Sequence, residues 1–238
     1  MGASDAAAAK LEHARGLLRR AEDRTVRARP APEVDDRVLP VVAPLARLLP
    51  AGGLRRGTTV AVAGGPAATS LLWAVLAEAS AGGAWVGVVG RPDLGLVAAA
   101  EAGMRLERLA LVPAPGPELP AVTSALLDGL DVVVMTAARS VPAGERQRLT
   151  ARARQRGAVL CALGPWPGAD VWLSCTDARW NGVGDGSGRL GERQVVVRAL
   201  GRGMAPVGRE ARLLMPARAV GPVVAAPAPT AASVRLAG

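Results

Sequence analysis

Apolar runs of four to six residues recur through the middle of this chain, each separated from the next by a stretch with helical patterning. This rhythm constrains the fold more than any other feature. Thr58–Ala63 (TTVAVA), Ala84–Val89 (AWVGVV), Leu109–Val112 (LALV), Asp131–Met135 (DVVVM) and Ala158–Leu163 (AVLCAL) read as strands. Between them lie a Leu/Ala helix from Gly65-Pro66 to about Ala81, a helix near Leu94–Ala102, another over Ala121–Gly129, and an Arg-rich helix over Ala143–Gln155. Short runs without polar alternation are what strands buried on both faces require, so the pattern predicts an α/β fold with a mostly parallel sheet flanked by helices.

After Leu163 the rhythm changes. VWLSCTDARW (171–180) and RQVVVRAL (193–200), joined by NGVGDGSGRLGE, read as an antiparallel hairpin, and EARLLMP adds a further strand. Residues 217–238 are low in complexity and rich in Ala and Pro, the composition of a disordered tail. At the other end, residues 1–29 read as a basic amphipathic helix or arm: Asp5–Arg29 carries seven basic and four acidic side chains, with Leu11, Leu17 and Leu18 as its anchors and Arg19-Arg20 as its most basic pair. Pro30 and Pro32 end it. The core domain is expected over 38–216.

Composition excludes several chemistries. The single histidine, His13, lies in the basic N-terminal segment, and Cys161 and Cys175 stand fourteen residues apart without a CxxC, so neither a His/Cys zinc site nor a Ser–His–Asp triad is expected. No metal, cofactor or catalytic residue is assigned. Thr58–Ala77 runs twenty residues without a charge, but Gly64-Gly65-Pro66 divides β-formers from helix-formers, which fits a strand and a helix better than a membrane span. The N-terminus carries no secretory pattern, and a soluble, cytoplasmic protein with reduced thiols is expected. Formal net charge is +9, yet only one of the 29 basic residues is lysine, Lys10. Arginine suits phosphate and acidic partners. A coding bias toward Ala, Gly, Val, Leu and Arg raises its number without any functional cause.

The turn between the first strand and its helix is where a nucleotide-binding protein keeps its phosphate loop. In G-x-x-x-x-G-K-[ST] the lysine reaches the terminal phosphates and the hydroxyl holds magnesium. Counted from Gly65, those positions fall on Leu71 and Leu72; counted from Gly64, on Ser70 and Leu71. Gly64, Gly65, Pro66, Thr69 and Ser70 therefore form a degenerate loop that lacks the cation. The strand DVVVM ends in Met135-Thr136 where a metal-linked Asp would stand, and Asp131 sits at its opposite end. After Val89 comes Gly90-Arg91-Pro92 rather than a carboxylate to orient water. The formal GxGxxG at Gly186–Gly191 lies between two strands and reads as a glycine-rich hairpin loop.

The helix AGERQRLTARARQRG places Arg146, Arg148, Arg152, Arg154 and Arg156 against one acid, Glu145. These arginines spread around the cylinder rather than forming one stripe. They are candidates for contact with single-stranded DNA or a partner, as are Arg19 and Arg20, with Trp166 and Trp172 as conceivable stacking planes or as packing.

The order of LLPAGGLRRGTTVAVAGGP, AAAEAGMRLERLALVPAPG, ALLDGLDVVVMTAARS, GAVLCAL and RQVVVRALGRGMAPVGREARLLMP resembles the RecA core, and more closely the ImuA-type RecA-like proteins of damage-inducible mutagenesis cassettes. The resemblance covers about Val38–Pro216 and implies a RecA-like fold and a role in translesion synthesis. Its implied partners are an ImuB-like Y-family polymerase homologue and an error-prone replicative-type polymerase, with RecA or single-stranded DNA as further candidates. Association with the nucleoid on DNA damage goes with that role. The missing lysine, aspartate and strand-end carboxylate, and the short GPWPGAD segment, depart from active RecA proteins. Three readings arise from the sequence: a non-catalytic accessory protein acting through protein contacts, a single-stranded DNA-binding module using the Arg-rich helix, and an ATP-binding recombinase-like ATPase.

Overall fold

The computed structural model describes residues 37–63, 67–136, 140–184, 187–202, 204–205, 207–216 and 224–225. Its elements run β1 (Val38–Leu39), α1 (Ala43–Ala46), β2 (Leu54–Arg55), β3 (Thr59–Ala63), α2 (Ala68–Ala81), β4 (Val86–Val89), α3 (Leu96–Glu101), β5 (Leu109–Val112), α4 (Leu119–Leu127) and β6 (Val132–Met135). After these come α5 (Ala143–Arg156), β7 (Val159–Leu163), β8 (Val171–Gly184), β9 (Ser187–Gly201), β10 (Arg209–Pro216) and β11 (Val224–Ala225). β1 and β2 form a two-stranded ribbon, and the other nine strands form one sheet in the order β11-β10-β9-β8-β3-β7-β6-β4-β5. From β8 to β5 every pair is parallel; β8, β9, β10 and β11 pair antiparallel. The chain is thus a mixed α/β protein with a mostly parallel sheet flanked by helices and a C-terminal antiparallel hairpin.

Side-chain parity explains the two covering layers. Val60, Val62, Val86, Val88, Val132, Val134, Val159 and Cys161 share one core cluster with Leu71, Leu72, Val75 and Leu76 of α2 and Ala99 of α3. The alternate residues Ala61, Val89, Val133, Met135, Leu160 and Ala162 join Leu126 and Leu127 of α4 and Leu149 and Ala153 of α5. Successive residues of a strand point to opposite faces, so a run that is apolar at every position feeds both layers. Gly87 allows α4 to approach the sheet: a Cβ there would lie 2.7 Å from Leu130 Cδ1 and 3.3 Å from Leu126 Cδ1. Helix α2 is buried at every position from Leu71 to Ala77, as its unbroken apolar composition demands.

Two carboxylates close the amino ends of the parallel strands. Asp131 accepts the Trp85 N–H at 2.8 Å and pairs with Arg56 Nη2 at 2.8 Å. Asp170 accepts the Thr59 N–H at 2.9 Å. Each satisfies a strand-end amide that would otherwise lose its partner on folding.

Departures from the sequence expectations concentrate in the hairpin. NGVGDGSGRLGE, expected as a loop, is mostly paired strand: Asn181 faces Glu192, Val183 faces Gly188 and Gly184 faces Ser187. Antiparallel hydrogen bonding along two long strands overrides the weak strand preference of glycine. Ser187–Gly191, within the formal GxGxxG, belongs to β9. Helix α4 begins at Leu119, earlier than expected, with Pro120 in its first turn, where proline fits. In the stretch expected as a disordered tail, Val224–Ala225 pairs with Leu213–Leu214; the rest of 217–238, like the N-terminal arm with His13, Arg19 and Arg20, lies outside the described residues.

Candidate functional site

In open parallel sheets, ligands collect outside the carboxyl ends of strands where the direction of winding reverses. Here that place is the end of β3. From β3 the chain crosses through α2 to β4 on one side, whereas from β7 it passes β3 to reach β8 on the other. Gly64, Gly65 and Pro66 of the degenerate loop lie outside the described residues. Of the residues that flank them, Ala67 is buried, whereas Ala63 and Ala68 are half-buried.

Leu71 and Leu72, the positions of the lysine and the magnesium hydroxyl in one register, are fully buried in the cluster between α2 and the sheet. Their side chains anchor the helix. Ser70, the lysine position in the other register, is exposed, and Thr69 is half-buried. Ser70 Oγ accepts a 2.9 Å hydrogen bond from Arg193 Nη2 of β9. Arg193 is only 6% exposed, and burial draws its pKa below the usual guanidinium value. The neighbouring Cys175 thiol is pushed up to about 11 by burial, with Arg193 pulling it back. A guanidinium from the terminal hairpin thus reaches the start of the helix after the glycine turn.

Sequence reasoning missed Arg193. A signal was present: Val195, Val197 and Ala199 are buried on β9, and Arg193 falls on the same parity. A lone arginine in the core register of a strand is an expensive residue that needs a reason.

At the end of β6, Thr136 occupies the place expected for the metal aspartate. It is 6% exposed, and its hydroxyl donates to the carbonyls of Val89 at 3.2 Å and of Gly90. Gly90 has φ 82°, and a Cβ there would lie 2.8 Å from Thr136 Oγ1. The two strand ends are therefore locked together by a neutral hydrogen bond. Beyond Gly90, Arg91 Nε pairs with the exposed carboxylate of Asp93 at 2.8 Å.

The Arg-rich helix is largely tied to its own scaffold. Arg152 makes a two-pronged contact with Asp128, just after α4, at 2.6 Å through Nε and 2.6 Å through Nη2, and Arg156 reaches the same carboxylate at 3.1 Å. The Arg152 hydrogen bond holds the Asp128 carboxyl below the usual carboxylate range. Arg146 donates to the Val141 carbonyl at 2.6 Å. Arg148, 78% exposed, pairs with Glu145, and Arg154 is exposed. Trp166 is a core residue, 1% exposed, with its Nε1 donating to Thr150 at 3.3 Å. It cannot serve as a stacking plane. Trp172 is partly buried against the α4/α5 layer.

Among the described residues no group of three His, Cys, Asp or Glu is placed to hold a metal ion, and no helix is long and apolar enough to cross a membrane.

Fold and strand-end geometry together define a mixed α/β protein whose central strand is followed by a buried helix. Residues 47–168 match the MT3502 N-terminal domain family, about half of the chain, and the chain belongs to that family. The uncharacterized protein Rv3395c of Mycobacterium tuberculosis is 40% identical to it over 131 residues, 53% of this chain. The chain spans 63% of that relative's length. The family match ends before β8, so the terminal hairpin and Arg193 lie outside it.

Proposed function

We propose that this chain is a RecA-like accessory protein without nucleotide chemistry, acting in DNA-damage tolerance through contacts with lesion-bypass polymerase components. The carrying observation is that Leu71 and Leu72, where a phosphate loop needs its cation and its hydroxyl, are fully buried core residues. A mostly parallel sheet with its glycine-turn strand near the centre and an antiparallel hairpin at its end is the architecture the RecA-like reading requires. Thr136 in place of a metal ligand supports the same reading, because its hydroxyl is spent on β4 and Gly90 carbonyls. A frame kept while its chemical groups are replaced by packing suits recognition by protein surfaces, in the cytoplasm and at the damaged nucleoid.

Affinity capture of the tagged chain from damaged cells tests this reading. Recovery of an ImuB-like polymerase homologue or an error-prone replicative polymerase is the expected result. Recovery of unrelated metabolic enzymes alone would overturn it, as would micromolar Mg-ATP affinity by calorimetry. Single-stranded DNA binding through the Arg-rich helix is the second reading. It is favoured by the exposure of Arg148 and Arg154, whereas Arg152 and Arg156 are already engaged with Asp128.

A further inference from the structure

At the opposite end of β3 from the degenerate loop, the molecule carries a cavity of about 360 Å³. Its floor is aliphatic: Leu49, Leu54, Val60 and Val171, all nearly buried. Its walls are the turn between α1 and β2 and the amino ends of β3 and β8. That volume is at the lower end of the range for ligand pockets, enough for one or two apolar side chains but not for an extended cofactor.

The walls are held in place before anything binds. Arg209 Nη1 donates to the carbonyls of Arg47 at 3.3 Å and Leu49 at 3.2 Å, fixing the end of α1. The Thr58 hydroxyl donates to the Arg55 carbonyl at 2.6 Å. Gly53 sits so close to β1 that a Cβ would lie 2.5 Å from the Leu39 carbonyl oxygen. A preformed apolar floor lowers the ordering cost of whatever docks.

Charge on the rim decides what that is. Arg55 is exposed, and its guanidinium makes no hydrogen bond or ion pair among the described residues. Arg202, 71% exposed, stands 3.6 Å from Asp170 Oδ1. Asp170 is the one carboxylate lining the cavity among the described residues, and its other oxygen is committed to the Thr59 amide. Two arginines against one engaged acid give a cationic rim around an aliphatic floor. Among the described residues no aromatic side chain lines the cavity to stack a base, which disfavours nucleic acid as its occupant.

We propose that this cavity is a docking site for a partner peptide that presents an aliphatic side chain flanked by carboxylates. The aliphatic group fills the floor and the carboxylates meet Arg55 and Arg202. Partner binding through protein surfaces is the reading proposed above, and this inference deepens it by naming one surface. The cavity and its charge carry it, however, and its test needs no polymerase, so either idea can fail alone.

The probe is a fluorescein-labelled hexapeptide, two leucines between paired aspartates, followed by anisotropy against the full chain. Peptides with serine in place of leucine, or asparagine in place of aspartate, are expected to bind about tenfold more weakly or worse. Arg55→Glu combined with Arg202→Glu is expected to weaken the leucine peptide by about tenfold or more. Ala51→Trp, an exposed position at the mouth, is expected to do the same by filling the cavity. All three substitutions lie on exposed side chains, and matching thermal melts confirm that the variants fold. Equal binding of the serine peptide, or unchanged affinity in both variants, would overturn the proposal, as would the absence of saturable binding below millimolar concentration. Displacement of the peptide by oligothymidylate with the same dependence on Arg55 and Arg202 would overturn it in favour of a nucleic-acid surface.

Discussion

Replacing Leu71 by lysine puts a cation where a phosphate loop counted from Gly65 would carry one, at a position that the fold has made part of its core. Leu71 is fully buried in the layer between α2 and the sheet. Removing a leucine from such a site costs at least about 2 kcal/mol. The ammonium that replaces it must stay charged in an apolar layer or give up its proton. Buried lysines shift by up to roughly 3–5 pKa units, which adds about 4–5 kcal/mol at neutral pH, where loss of the proton caps the cost. The sum, roughly 6–7 kcal/mol, is comparable to the whole stability of an ordinary domain. Leu71→Lys is therefore expected to unfold the chain or leave it barely folded, as read by urea titration with circular dichroism. Ser70→Lys, one residue earlier and exposed, spares the core but takes the acceptor from Arg193 and adds a like charge beside it, so it should cost about 1–3 kcal/mol and leave the chain folded. A Leu71→Lys protein that melts within a few degrees of the parent and binds Mg-ATP by calorimetry would refute the reasoning, because it would mean that this position faces the loop and not the core.

Three further outcomes rest on the same geometry. Thr136→Val should cost about 1 kcal/mol through loss of the hydroxyl's bonds to the Val89 and Gly90 carbonyls, and Thr136→Asp more, since a carboxylate would face those carbonyls; urea midpoints decide. Burial pushes the Cys161 thiol up to about 12, so the unfolded chain releases that proton first as pH rises past about 9. Stability should then fall by up to about 1.4 kcal/mol per pH unit from this group, and Cys161→Ala should flatten the alkaline limb. Asp128 is held below its usual range by Arg152, so its contribution is present above the unfolded carboxyl pKa and lost as pH falls through the folded one. Arg152→Ala should lower stability at neutral pH, with the difference from the parent shrinking in acid.

The sequence by itself determined the parallel core. Runs such as TVAVA and VVVM have no polar register to expose, so they must be covered on both faces, and helix-length intervals between them supply the cover. That no lysine stands at the phosphate-loop spacing after Gly64-Gly65, and no aspartate ends the strand DVVVM, was also legible, because those positions are read directly from spacing. Local preference was a poorer guide in the hairpin, where NGVGDGSGRLGE looks like a loop until β9 is laid against β8.

Only the tertiary structure decided which charges were free. Arg152 and Arg156 look available on the helix and are taken up by Asp128, twenty-four and twenty-eight residues away in the chain. Arg193 shares the register of β9's core residues, but only the fold shows that its guanidinium meets Ser70, 123 residues distant. The cavity under Arg55 and Arg202 likewise joins segments from α1 to the end of β9. Strands and helices arise from side chains near each other in sequence, whereas desolvation and ion pairing depend on groups that only the folded sheet brings together.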